Sequence, residues 1–256
     1  MPNPSPARNP HLAVLRAEVR AIESAGRKEG RGCLPFGVEA MDRRLDGGGL
    51  AMAALHEAVG SRSGFSDDAA ASLFVAGIAA RLPGTILWVL ARRDLFAPGL
   101  MQAGLPPDRI IYAEARSDEE VLAVMEEGLR HGGLGAVVGE VAPVSMASTR
   151  RLQLAAEEGG VTALMLKRWR KSEEDSLSQP SAAMTRWRIA CAPSGELPVE
   201  GIGRARWRLT LARQRGGEPY EWIMEASDAE GRLALPAEPP HRSPAANRPG
   251  EVRHAA

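Results

Sequence analysis

The stretch HEAVGSRSGFSDDAAASLF, residues 56–74, decides how the chain is read. An apolar run ends at Gly60, small and polar residues follow, and an alanine-rich segment of helical character begins near Asp67. Strand, small-residue loop and helix in that order cradle phosphate when they carry the pattern GxxxxGK[ST]. Its glycines let backbone N–H groups converge, its lysine neutralises phosphate oxygens and its hydroxyl holds magnesium. Here the corresponding residues are Gly60, Ser61, Arg62, Ser63, Gly64, Phe65, Ser66 and Asp67. The glycines are four apart instead of five, Phe65 takes the approximate place of lysine, and Ser66 is the remaining hydroxyl. Asp67 and Asp68 are placed to cap the helix and satisfy its free backbone donors. They also occupy the field that phosphate would use, and two carboxylates there repel a triphosphate. Arg62 is a cation of the loop, extending from the loop and not from the helix start. GSRSG is not the GxSxG of a hydrolase, because arginine stands at the nucleophile's place.

Outward from this stretch, apolar runs alternate with helical segments. MAALHEAV (52–59), TILWVLA (85–91), RIIYAEA (109–115), GAVVGEV (135–141) and VTALMLK (161–167) read as strands. Helices are expected over 67–81, near Ala97, over 118–130 and over 147–158. This alternation argues for a parallel sheet covered by helices, and strands that are apolar almost throughout are those buried on both faces. After Lys167 the period becomes two. TRWRIAC (185–191), RARWRLTLARQR (204–215) and YEWIMEA (220–226), with Gly216 and Gly217 as a turn, predict a mixed or antiparallel extension of the sheet. Arg186 and Arg188 share one strand face, with Trp187 and Ile189 on the other. Arg204, Arg206 and Arg208 likewise oppose Trp207 and Leu209, so the tryptophans are core candidates.

At 256 residues and 44% hydrophobic content, the chain can bury one sizeable core. Its 32 lysines and arginines balance 32 acids, so any basic surface must be local. Residues 161–216 provide one, with eleven lysines and arginines against five acids. Lys167, Arg168, Arg170, Lys171, Arg186, Arg188, Arg204, Arg206 and Arg208 are therefore candidates for contact with nucleic-acid phosphate or an acidic patch on another protein. Cys33 and Cys191 are too far apart for a CxxC clasp and too few for a disulfide framework, which fits a reducing compartment. The start, MPNPSPARNPH, has no apolar signal core, and 85–91 is too short to span a bilayer; the expectation is a cytoplasmic protein without membrane contact. Residues 1–10 and 236–256 read as disordered tails. Residues 11–32 read as an amphipathic helix, with Leu12, Leu15, Val19 and Ile22 at helical spacing, followed by a glycine-rich link. Such a helix suits docking on a partner or a second copy. The core is then 33–235.

CLPFGVEAMDRRLDGGGLAMAALHEAVG (33–60), ILWVLARRDLFAPGL (86–100), PDRIIYAEARSDEEVLAVMEEGLRHGGLGAVVGEV (107–141) and VTALMLKRW (161–169), in this order, resemble the core of RecA-type recombinases. Within that superfamily the chain resembles the ImuA family over about residues 12–235. The resemblance implies an α/β fold: a RecA-like P-loop NTPase core with a mostly parallel sheet, a C-terminal antiparallel extension and an N-terminal amphipathic helix. It also shows what has been lost. The lysine position falls at Phe65, the magnesium-holding aspartate near Gly139, and the water-activating glutamate at 91–93, where arginine, always protonated, cannot be a base. What remains is a degenerate nucleotide site of Gly60, Arg62, Gly64, Ser66 and Glu140. The family's first DNA-binding loop shrinks to APVSMAS (142–148), and the second corresponds to 168–184. Arg213 and Arg215 match basic residues that reach across a subunit interface. The resemblance implies a non-catalytic accessory or scaffold protein of damage-inducible, error-prone translesion repair. Its implied partner is ImuB, a Y-family polymerase relative, and through ImuB an error-prone C-family polymerase; DNA and a second copy of the chain are further candidates. No cofactor is expected. The alternative is a weakly hydrolysing ATPase that binds ATP with magnesium and forms filaments on DNA.

Overall fold

Apolar runs become strands and alanine- and leucine-rich segments become helices throughout the residues that the computed structural model describes, 32–169, 175–195, 201 and 203–236. A short antiparallel pair, β1 (Cys33–Leu34) and β2 (Leu50–Ala51), frames helix α1 (Glu39–Asp42). Then follow β3 (Leu55–Gly60), α2 (Phe65–Arg81), β4 (Ile86–Leu90), α3 (Ala97–Gln102), β5 (Ile110–Glu114), α4 (Asp118–His131), β6 (Ala136–Val141), α5 (Met146–Gly159) and β7 (Thr162–Lys167). β8 (Thr185–Ala192), β9 (Arg206–Gln214) and β10 (Tyr220–Glu225) complete the chain of strands. The main sheet has eight strands in the order β10-β9-β8-β3-β7-β6-β4-β5. It is parallel from β8 to β5 and antiparallel across β8, β9 and β10, the mixed architecture that the change of period predicts.

Each face of the sheet buries its own cluster. Phe74 and Ile78 of α2 and Leu100 of α3 cover Ala58, Ile86, Trp88, Trp187, Trp207 and Trp222 on one side. Val121, Met125 and Leu129 of α4 and Leu152 and Ala156 of α5 cover Leu55, Val89, Val137 and Met165 on the other. Trp187 and Trp207 are core residues, as their alternation with arginine predicts. β5 forms one edge of the sheet and leaves Ile111 and Tyr112 exposed. Helix α4 starts at a side-chain cap: Ser117 Oγ accepts from the Glu120 N–H at 3.3 Å, and Glu120 Oε2 accepts from the Arg116 N–H at 2.7 Å. Gly132, at φ 72°, closes the helix in a left-handed conformation that suits glycine. Arg109 fastens the far end of α2, donating from Nη1 to Ala80 O at 2.7 Å and from Nε to Gly84 O at 3.0 Å.

The expected N-terminal helix with Leu12, Leu15, Val19 and Ile22, both terminal tails, and Arg170 and Lys171 lie outside the described residues. Among the described residues, no helix is long and apolar enough to cross a membrane.

Candidate functional site

Gly60, at the C-terminal end of β3, leads through residues 61–64 into α2, so the strand, loop and helix of the opening stretch are all present. The loop is closed on itself. The Ser61 N–H donates to Ile189 O of β8 at 2.7 Å, and the Trp169 indole donates to Gly60 O at 2.8 Å. A Cβ on Gly60 would stand 2.7 Å from Asp68 Oδ1, which shows how closely that carboxylate lies over the strand end. Phe65 is 97% exposed and points its ring to solvent. Arg62, Gly64 and Ser66 are also exposed.

The expectation that Asp67 and Asp68 cap α2 is corrected. The helix begins at Phe65 behind Gly64 with no side-chain cap. Asp67 Oδ1 instead accepts from the Cys191 N–H of β8 at 2.8 Å, and the buried Asp68 Oδ1 has no hydrogen-bond partner among the described residues. Burial raises the Asp68 pKa, opposed by the Arg168 guanidinium and reinforced by Asp67 and Asp94. A carboxylate thus lies beside the strand end from which the loop departs.

Glu140, next to last in β6, is buried in the interior. Its Oε1 accepts from the Trp88 indole at 2.8 Å, and its Oε2 lies 3.5 Å from Arg168 Nε. Burial raises its pKa, with Arg168 acting against that shift. Arg168 also pairs with Asp94 at 2.7 Å. Glu140 and Arg168 form the floor of a cleft of ≈ 210 Å³ bordered by Arg92, Arg116 and Asp118. The described residues contain no cluster of histidine, cysteine, aspartate and glutamate able to hold a metal ion.

The basic candidates divide by environment. Lys167 and Arg186 are not on a surface: both reach the fully buried Glu57 of β3, at 3.0 Å from Nζ and 2.7 Å from Nε. Ser181 Oγ donates to Glu57 Oε1 at 2.5 Å, holding residues near 181 against the sheet. Two buried cations therefore share one carboxylate, and Arg186 Nη2 has no hydrogen-bond partner among the described residues. Burial lowers the Lys167 pKa, and the charge of Glu57 acts against that shift. Strand alternation cannot distinguish such a face from a solvated one. The missed residue, Glu57, carried a signal of its own: a charge inside an apolar strand requires partners.

Arg188 pairs with Asp175 at 2.5 Å and Arg208 with Glu221 at 3.5 Å. Arg204 donates to Arg232 O at 3.0 Å and lies 3.4 Å from Glu225, while the buried Arg206 Nε has no hydrogen-bond partner among the described residues. These side chains border the β8–β10 part of the sheet. Arg213 and Arg215 are exposed at the end of β9 that faces the start of β8, opposite the end at which their own Gly60 lies.

No protein-family model matches the chain. Over 214 residues it is 39% identical to Protein ImuA of Caulobacter vibrioides, in each of two strains, across 80% of this chain and 88% of that protein. It is 31% identical over 94 residues to the cell division inhibitor SulA of Photorhabdus laumondii, across 37% of this chain and 53% of that protein. Among solved structures, the RadB recombinase superposes with a TM-score of 0.53 at 16% identity, across 80% of this chain and 100% of that chain. That likeness shows the fold, a RecA-like core.

Proposed function

Because the chain belongs to the ImuA family, we propose that it is a non-catalytic, RecA-like accessory protein of a damage-inducible, error-prone DNA repair complex, acting through contacts with other proteins. The observation that supports this reading is the carboxylate of Asp68 lying close over Gly60, at the start of the loop that the resemblance assigns to phosphate. A carboxylate about 4 Å from a phosphate oxygen repels it by about 4 kcal/mol at an effective dielectric constant near 20, before desolvation is counted. No lysine extends from the start of α2 to offset that cost. Glu140, committed to Trp88 and Arg168, is not placed as a free base. ImuB as the direct partner, and an error-prone polymerase reached through it, follow from the family. The arginines along β8 and β9 are candidate contacts for that partner or for DNA. Arg213 and Arg215 are candidates for contact with a second copy.

The test is phosphate release from ATP with magnesium, with and without single-stranded DNA. The expected result is no turnover above background. Phe65→Lys should leave stability within about 0.5 kcal/mol of the parent, because the ring is solvent-exposed, and should still release no phosphate, because Asp68 remains. Turnover by the unaltered protein would remove the proposal's basis. Co-purification with ImuB tests the partner separately, and loss of recovery after cutting residues 1–26 would locate the grip in the N-terminal segment.

A further inference from the structure

β5 closes one side of the main sheet, and no strand pairs with its outer side among the described residues. The Ala115 N–H donates to Leu90 O of β4 at 2.9 Å, so by alternation Ile111 and Ala113 turn their backbone groups toward β4. Ile110, Tyr112 and Glu114 turn theirs outward. Their N–H and C=O groups form a row open to another strand.

The strand does little to guard that row. IIYAE has no proline, no lysine and no bulge, the devices that keep sheet edges apart, and its one charge, Glu114, is already paired with Arg93. Helix α4 packs over β6 and β4, which leaves Ile111 of β5 53% exposed on that face of the sheet. Tyr112 is 41% exposed on the other face. The opposite edge, β10, is defended by contrast: Glu221 and Glu225 stand on it, and Ala234 bridges to Glu225.

Register selects the occupant. Antiparallel pairing of β5 with a second β5, centred on Tyr112, sets outward residues against outward residues, as the ladder requires. Tyr112 then faces the same tyrosine of the second copy, and Ile110 faces Glu114. On the other face the large Ile111 meets the small Ala113. The ends match in charge as well: the exposed Asp108 of each copy comes beside the exposed Arg116 of the other, and neither makes an ion pair among the described residues. Centring the pair on Ile111 instead opposes Asp108 to Glu114, two acids, which is unfavourable.

We propose that β5 is a self-pairing edge through which two copies of the chain join in a closed, two-fold dimer with one continuous sheet. The proposal goes beyond the accessory reading and uses neither the loop after Gly60 nor Arg213 and Arg215.

The full chain is followed by analytical ultracentrifugation over about 1–100 μM, the range of a modest self-association. The mass should rise to that of two chains and stop there, since a two-fold contact closes on itself. Tyr112→Pro removes an outward N–H and no bond to β4, so it should keep the thermal midpoint of the dilute protein and abolish the dimer. Arg116→Asp sets acid against Asp108 at both ends and should weaken association by about tenfold, and adding Asp108→Arg should restore it. Register is read in a Cys33→Ser/Cys191→Ser background. Ile111→Cys and Ala113→Cys should form a disulfide when the two variants are mixed and oxidised, because opposed residues of a non-hydrogen-bonded pair lie about 4.5 Å apart between Cα atoms. Each of five results overturns the proposal: a single-chain mass throughout, growth past two copies, a dimer that survives Tyr112→Pro, a charge swap that does not restore association, or cross-linking no greater in the mixture than in either cysteine variant alone.

Discussion

Glu57→Gln is expected to destabilise the fold by about 3–5 kcal/mol, the cost of leaving buried charge without its counter-ion. Glu57 and Lys167 are 0% and 1% exposed, and Arg186 lies beside them, so neither cation can turn to water when the carboxylate is removed. The glutamine fills the same volume, which isolates charge from packing. The glutamine's amide oxygen can still accept from Ser181, so the surface exposed on unfolding is unchanged and the midpoint in urea should fall without a fall in its slope. A second variant separates ion pairing from mere sensitivity of the site. Replacing Glu57, Lys167 and Arg186 together with leucine and methionine should recover most of the loss, because an apolar trio carries no desolvation cost. If Glu57→Gln alone were neutral, the buried pairing would have no energetic role.

The second large effect is a loss of stability in mild acid through His56. The ring lies inside the sheet, with Nε2 2.7 Å from Ala51 O and Nδ1 2.7 Å from Thr185 Oγ1. A carbonyl accepts only, so Nε2 bears the proton. The Thr185 hydroxyl takes a hydrogen bond from the Trp187 indole at 2.7 Å and donates its own proton to Nδ1. The neutral ring is satisfied on both sides. Burial lowers its pKa to about 4, from 6.5, with the Ala51 carbonyl acting in the opposite direction. Between these two values the unfolded chain holds the extra proton. This contribution is therefore complete above pH 6.5 and is lost as pH falls toward 4, in total about 3 kcal/mol. Asp68 and Glu140, whose pKa values are raised, act with the opposite sign and favour the fold as pH falls. The measurement is thus the difference between the parent and His56→Asn across pH 4 to 7. Parallel profiles would contradict the assignment.

Much of the fold is legible because its signals are local. The run GAVVGEV is apolar enough to require two covered faces, and the helix expected over 118–130 is found at Asp118–His131. The alternation of Trp207 with Arg206 and Arg208 gives both the strand and its orientation. What remains hidden depends on partners far along the chain. Asp67 and Asp68 look like caps until β8, 124 residues later, offers the Cys191 N–H as a donor. Arg186 looks like surface until Glu57, 129 residues earlier, is seen beneath it. Arg92 and Arg116 give no signal at all, because each sits in a connection after a different strand and they share a cleft only once the sheet has closed.

The placing of β3 has a further consequence during synthesis. His56 and Thr185, neighbours across the β3–β8 ladder, are 129 residues apart, so a ribosome must deliver more than half of the chain before β3 gains both flanking strands. Until then the strand carries Glu57 without Lys167 or Arg186, and the emerging polypeptide holds an unmatched charge among apolar residues. Closing so long a loop is slow and leaves apolar surface uncovered meanwhile. Translation itself thus sets the earliest moment at which the sheet can exist.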